Sequence, residues 1–470
     1  MPNRVDQLHQ QVVDAIATHV RSFYQRRLPF RVYRGATNST RVVEFEKDKM
    51  VDVSSLDRIL SVDTQNKIVV AEANVPMDQL VGATLPHGLV PPVVMEFPGI
   101  TVGGGLQGGA GESSSFKWGT FNRTLEWFEM ILADGSVVRA SRTEHTDLFW
   151  GAAGAYGTLG VVTAVAVRLV PAKKFVELNY QPVGSFDEAV QSISEACAAQ
   201  PDFVDGIMFS KTQGVILIGR LCDESSAAQA TFTKARDEWF YLHAQKMLQP
   251  GQNRTEKIPL YDYLFRYDRG AFWMGTVAFK WVHAPFNRLM RWLFDPLLHT
   301  RKMYEGLQAG GVSQECIIQD VAMPGPAATD FMEYVDKRFG IYPLWLCPLL
   351  TDQDSPLLSS YLSTDYVINI GVWGKYTGSY ESFITANEEL EAKVAALHGR
   401  KWLYAHIYYD EAAFWAMYDP QRQYQALRHK YKAETLPTVY QKVHVTQRYR
   451  VSVKWGILSA LLGRSGIRRR

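Results

Sequence analysis

Cysteine is scarce in this chain. Only Cys197, Cys222, Cys316 and Cys347 occur in 470 residues, far apart and with no C-x-x-C pair. No disulfide framework or metal site is expected, and the four read as reduced, buried thiols of an intracellular protein. An excess of one charge is missing too: 50 Lys and Arg stand against 48 Asp and Glu, interspersed. The basic stripe that a nucleic-acid binder needs is therefore excluded. No run approaches the ~20 apolar residues of a membrane-spanning helix. The opening MPNRVDQLHQQVVDAIATHV has no apolar core segment, so no secretory signal is expected; Leu8, Val12, Ile16 and Val20 instead mark one face of an amphipathic helix. No G-x-x-x-x-G-K-[ST] occurs, which excludes a P-loop, and no internal repeat stands out.

Glycine is the exception, because it is concentrated. Residues 98–121, PGITVGGGLQGGAGESSSFKWGTF, hold Gly99, Gly103, Gly104, Gly105, Gly108, Gly109 and Gly111, followed by Ser113, Ser114 and Ser115. Such a stretch lets another molecule lie directly on the main chain, and its amides and hydroxyls suit the phosphates of a large cofactor. Gly103, Gly105 and Gly108 formally match G-x-G-x-x-G, but that pattern counts only between a strand and a helix. Pro98 precedes it, and ESSSFKWGTF shows no helical period, so the segment reads as a cofactor loop.

Two further segments frame this loop. Residues 31–41, RVYRGATNSTR, read as a short strand entering a polar turn, and 147–163, DLFWGAAGAYGTLGVVT, as an Asp-capped helix and a Gly-x-x-Gly turn into a strand. Together the three resemble the flavin domain of the vanillyl-alcohol-oxidase/p-cresol-methylhydroxylase superfamily. ESSSFKWG from Glu112, LADGSVVR from Leu132, PAKK from Pro171, IYPLWLCP from Ile341 and FWAMYD from Phe414 are similar to its Δ24-sterol reductase (diminuto-like) branch.

The resemblance implies an α+β fold: a PCMH-type FAD-binding domain over residues 1–172, a substrate or cap domain over 173–400, and a C-terminal segment, 401–470, closing the substrate site. It implies an FAD site built from Arg34, Gly35, Ala36, Thr37, Asn38, Ser39 and Thr40 in the first turn. The second loop would add Pro98, Gly99, Thr101, Val102, Gly103, Gly104, Gly105, Gly108, Gly109, Gly111, Glu112, Ser113, Ser114, Trp118 and Gly119. Gly157, Gly160, Val161 and Val162 would close the site. Asn38 stands where relatives that tether flavin covalently have histidine, and 98–121 hold no cysteine, so dissociable FAD is expected. Animal and plant members carry an N-terminal hydrophobic segment for endoplasmic-reticulum attachment, and no such segment opens this chain.

The implied activity is reduction of a carbon–carbon double bond in a sterol or similarly apolar molecule. Flavin N5 would give hydride, NADPH would supply the electrons, and the protein would supply position, dryness and a proton. Glu112 beside the glycine loop is one candidate acid, or else an anchor of that loop. Alternation in a strand over 402–409 would place Tyr404, His406 and Tyr408 on one face, a candidate pocket floor. Asp320, in IIQDV, resembles a Gln-Asp pair of the family. Two alternatives stay open: an FAD oxidase or dehydrogenase using oxygen, and a non-redox cyclase, isomerase or binding scaffold on the same fold.

In the second half, Ser185 with Glu188 reads as a capping box, and a helix from about 384 to 398 stops at Gly399. Strands are expected over 67–75, 161–169, 214–221 and 366–373. The aromatic stretch from Tyr261 to Trp292 either walls a large cavity or packs a core, with Arg266 and Arg269 as surface or NADPH-phosphate cations. Trp455 to Leu462 reads as a terminal helix or an interfacial anchor, so peripheral membrane contact, cytoplasmic or at the endoplasmic reticulum, is one expectation. Oligomeric state is not indicated.

Overall fold

The computed structural model describes residues 4–35, 37–42, 44–224, 230–251, 254–462 and 468–469. Two antiparallel sheets, with helices between and outside them, make the chain α+β. The first has five strands in the order Ile59–Asp63, Ile68–Glu72, Gly160–Arg168, Leu125–Leu132, Val137–Ser141. Its central strand buries Val161, Val165 and Val167 on one face and Val162, Ala164 and Ala166 on the other, a pattern suited to burial on both faces. Beside it, Arg31–Tyr33 pairs in parallel with Met50–Asp52 and leads into the polar first turn.

The N-terminal helix, Arg4–Gln25, lies against this unit, but its buried stripe is His9, Val13, Ile16, Ala17, Val20 and Phe23. Ile16 and Val20 fall as the periodicity expects, whereas Leu8 is exposed. A polar lock turns the helix by about one position. His9 Nδ1 meets Glu72 at 2.8 Å, Nε2 meets Glu129 at 3.1 Å, and Arg58 grips Glu72 through Nε and Nη2. Burial works against the imidazolium, but the two carboxylates prevail and raise the His9 pKa to about 9. A pKa raised on folding gives stability that is whole below the ordinary 6.5 and lost as pH climbs through about 9. Melting temperature should fall across that window, by the equivalent of ~1–2 kcal/mol after solvent screening. His9→Gln should flatten the slope in thermal melts run against pH.

The second sheet has eight strands, ordered Thr255–Pro259, Phe175–Val183, Gln213–Cys222, Phe203–Ser210, Leu344–Leu350, Tyr366–Lys375, Cys316–Pro324, Arg400–Lys401. Its two faces divide by strict alternation. Val204, Ile216, Ile317, Val321, Ile370 and Val372 point to the helices Phe186–Ala198, Ala328–Phe339 and Tyr380–Ala396 and form one core with them. Ile207, Val215, Leu217, Ile318, Trp345 and Trp373 point the other way, into the core shared with the first unit. That second face is where the chemistry gathers.

The caps are legible with small shifts. Ser185 accepts from the Glu188 amide, but the Glu188 carboxylate takes the Gly184 amide, one residue before the position a capping box requires. The helix Tyr380–Ala396 ends with the left-handed residue at His398 rather than Gly399. His145, not Asp147, stands at the N-cap position of Thr146–Gly151, with no side-chain bond to the helix, while Asp147 accepts from the Leu148 amide inside the first turn.

Candidate active site

The glycine-rich segment is not a loop throughout. Val102–Gly108 is a short helix whose cap, Thr101, accepts from the Gly104 amide at 3.1 Å, and Ser115–Trp118 forms another turn of helix. The G-x-G-x-x-G spacing thus lies inside a helix, and its glycines serve two sides. A Cβ on Gly103 would stand 2.8 Å from the Ala73 carbonyl, and one on Gly105 would meet Met95 and Phe121, so these two let the helix press onto the sheet. Gly104 and Gly108 face the opposite way, into a cavity of about 270 Å3. Gly109 closes the helix at φ +61.

From the FAD-binding unit, Arg34, Thr37, Asn38, Ser39, Gly99, Thr101, Gly104, Gly108 and Gly111 line that cavity. The other positions implied for the cofactor lie elsewhere. Gly35, Thr40, Pro98, Gly119, Gly157 and Gly160 shape turns or ends behind the wall. Val102, Val161 and Val162 are core. Trp118 is exposed on its helix. Ser114 donates to the Pro92 carbonyl, Ser113 faces Glu112 and Tyr263, and Ser115 accepts from the Glu112 amide; none of these hydroxyls is offered to a phosphate. Ala36 lies outside the described residues.

The cations of this wall carry no local cue in the sequence. Arg31, Arg41 and Lys442 join Arg34 around the cavity. Burial pushes Lys442 well down, and Arg34, Arg31 and Arg41 push it further. Burial likewise lowers Arg34, and takes Arg41 down to about 10. Arg34, Arg41 and Lys442 form no ion pair among the described residues; Arg41 donates to the Leu403 and Ala405 carbonyls, at 2.6 and 2.7 Å. Buried cations crowded together, three of them without an ion pair, fit a dianionic diphosphate. With the bare glycine face beside them, the residues present fit FAD. Lys442→Met should weaken FAD binding about 10–100-fold, the worth of one charge-assisted hydrogen bond. Titration of the apoprotein with FAD, followed by flavin fluorescence, checks this.

The cap sheet supplies the opposite wall. Asp320, Trp345, Cys347, Asn369 and Trp373 share one face by alternation and all line the cavity. Asp320 accepts from Tyr404 Oη at 2.5 Å, Asn369 Nδ2 at 2.8 Å and Trp373 Nε1 at 3.2 Å. Burial raises its pKa and these three donors pull against the rise. Glu96, to which no motif points, has no side-chain donor among the described residues, only its own amide. Burial, then the charges of Glu112 and Asp320, raise it to about 8. It lines the cavity beside Phe97.

Three residues that the sequence suggests for catalysis sit elsewhere. Past Arg400–Lys401 the chain is irregular through residue 410, so alternation does not apply, and Tyr404 faces the cavity without His406 and Tyr408. His406 is buried beside Arg41 and Lys401; desolvation and those charges lower its pKa to about 3, leaving no proton to give at neutral pH. Tyr408 packs on Phe383, and its amide donates to Glu391. Glu112 is buried away from the cavity, bonded to Ser113 and facing Arg266 at 3.4 Å. Arg266 and Arg269 are likewise buried, paired with Asp205 and Asp295, and are not surface cations free for a dinucleotide phosphate.

A first turn and a glycine helix facing each other across a cation-walled cavity define an FAD-binding flavoprotein of the PCMH type. The FAD binding domain family matches residues 11–141. The Delta(24)-sterol reductase of Homo sapiens is 30% identical over 452 residues, covering 94% of this chain and 87% of the relative. That of Pisum sativum is 30% identical over 431 residues, with 83% and 76% covered. The decaprenylphosphoryl-beta-D-ribose oxidase of Mycolicibacterium smegmatis is 29% identical over 152 residues, about a third of each chain. The chain belongs to the Delta(24)-sterol reductase family and is an FAD-dependent oxidoreductase.

Proposed function

We propose that this enzyme reduces a carbon–carbon double bond of a sterol, with NADPH as electron donor. The observation that carries the reading is the single cavity in which the FAD wall faces Glu96, Asp320 and Tyr404 across a dry aromatic lining. Bound FAD supplies the electron pair. The chain supplies the rest. Glu96 holds a proton at neutral pH, Asp320 fixes the Tyr404 hydroxyl, and Phe97, Tyr304, Trp345 and Trp373 exclude water and offer ring faces to positive charge developing on an alkene carbon. The names of the relatives support sterol as the substrate class.

An anaerobic spectrum tests this directly. NADPH should bleach the flavin band of the purified protein, and a Δ24 sterol should restore it. A band that NADPH leaves oxidised removes the donor assignment. A reduced band that the sterol leaves unchanged, but oxygen restores with turnover of an alcohol, replaces the reductase by an oxidase.

A further inference from the structure

A second cavity, of about 240 Å3, lies behind the first and is almost wholly apolar. Met274, Phe279, Met303, Leu307, Ile318 and Ile457 line it, and it shares Tyr304 and Trp373 with the flavin cavity. Two rings therefore separate the two spaces. At its far side the lining passes into exposed apolar residues. Val282 lines the cavity and is 43% exposed. Phe294, also lining, follows Leu289, Trp292 and Leu293 on the helix Arg288–Leu293, which buries no residue. Ile457 lines from the helix Val453–Leu461, whose other face exposes Trp455, Leu458 and Leu461, with Leu462 just beyond.

More than half of the large apolar residues exposed among the described residues belong to this one rim. Soluble surfaces rarely gather them so, and such a patch marks an interaction site. The charges around it are predominantly positive, although Glu238 lies close enough to act on Arg291. Lys280, Arg288, Arg291 and Lys454 form no ion pair among the described residues. Two further acidic groups nearby are engaged, Asp295 buried against Arg269 and Glu305 bound by Lys302. Tryptophans and leucines ringed by cations match the interface of an anionic bilayer, where rings sit at headgroup depth and each cation near the surface adds to the attraction.

We propose that the rim formed by Arg288–Leu293, Val282 and Val453–Leu461 docks on an anionic phospholipid bilayer, so that the second cavity opens to the membrane and admits an apolar substrate from it. The purpose of the docking rests on the reading of an apolar substrate; the docking itself is measured separately. The full-length holoenzyme is floated with vesicles of phosphatidylcholine alone and with phosphatidylserine added. Two double variants are run beside it, L289E with L293E and L458E with L461E. Wild type should float with anionic vesicles and less with neutral ones, and salt should weaken it. Each variant should lose about tenfold in bound fraction, while keeping its FAD content and its rate with detergent-dispersed sterol.

Wild type that stays in solution with both vesicle types overturns the proposal, as do variants that float like wild type. Sedimentation that shows a dimer broken by these variants, with no vesicle binding, replaces the bilayer by a second copy of the chain. Flotation without sterol turnover removes the sterol reading and leaves the docking; turnover in detergent without flotation does the reverse.

Discussion

Glu96→Gln is expected to slow reoxidation of the reduced flavin by sterol about a hundred- to ten-thousandfold, the worth of a positioned proton donor. FAD content and flavin reduction by NADPH should stay near wild type. Two carboxyls, Glu96 and Asp320, share one cavity in unlike surroundings. Asp320 receives three side-chain donors and serves as a fixed acceptor for Tyr404, whereas Glu96 has no side-chain donor among the described residues, only its own amide, and is pushed to about 8. Environments that drive two acids apart assign their roles, the less supported one carrying the proton.

The pH dependence follows in sign. Below about 8 Glu96 is protonated and the sterol step runs; above it the donor is lost and the rate falls. Stability moves the same way. A carboxyl raised from 4.5 to about 8 keeps its proton in the folded state while the unfolded chain releases it, so raising pH between those values costs stability. In the glutamine variant the rate limb should vanish, and the stability slope should shrink by the part that Glu96 contributes, leaving that of His9. Asp320→Asn should behave differently, lowering the rate less and keeping the limb at about 8, because it disturbs the aim of Tyr404 and leaves the proton source. A stopped-flow rate measured against pH for the three proteins separates these outcomes.

How far the sequence reveals this site depends on whether each cue is local. Gly99, Gly104, Gly108 and Gly111 are visible because glycine run together is rare, and Thr37, Asn38 and Ser39 because a polar turn interrupts a strand. What the run does is less visible. Gly103 and Gly105 look like their neighbours in sequence, but the 3.6-residue turn sends them to the sheet rather than the cavity. Lys442 is illegible for another reason: it is distant in sequence from Arg34, and only the folded C-terminal segment joins them. That segment is held by long-range bonds, Trp402 Nε1 to the Gly109 carbonyl at 3.0 Å and Ser39 Oγ to the Tyr404 carbonyl at 2.9 Å. The same bonds pull 402–410 out of strand geometry and defeat the alternation that would pair Tyr404 with His406 and Tyr408. Arg266 reads as a surface cation until the carboxylates that bury it are brought up from Glu112 and Asp205.

That cluster carries the largest stability effect expected here. Arg266 Nη2 lies 3.0 Å from Asp205 and 3.4 Å from Glu112, and Nη1 donates to the Tyr263 carbonyl at 2.9 Å. Its guanidinium lies over Tyr263 and Tyr267, 4.1 and 4.6 Å from the ring centroids. Asp205 also accepts from Tyr267 Oη at 2.6 Å and Trp345 Nε1 at 3.1 Å. The three charged residues come from the end of the glycine segment, the cap strand Phe203–Ser210 and the aromatic stretch, so the cluster fastens the cap to the flavin unit. The Val204 amide donates to the Ser113 carbonyl at 2.8 Å in the same seam. Arg266→Met leaves two carboxylates buried without a cation and should cost about 3–5 kcal/mol. Glu112→Gln should cost far less, because burial, against the pull of Arg266, already raises Glu112 to about 7 and Asp205 still answers the guanidinium. Thermal and urea melts of both variants, with FAD bound, measure the difference. If Glu112 supplied the reaction's proton, its glutamine variant would keep its stability and lose sterol turnover; a seam residue away from the cavity should keep both.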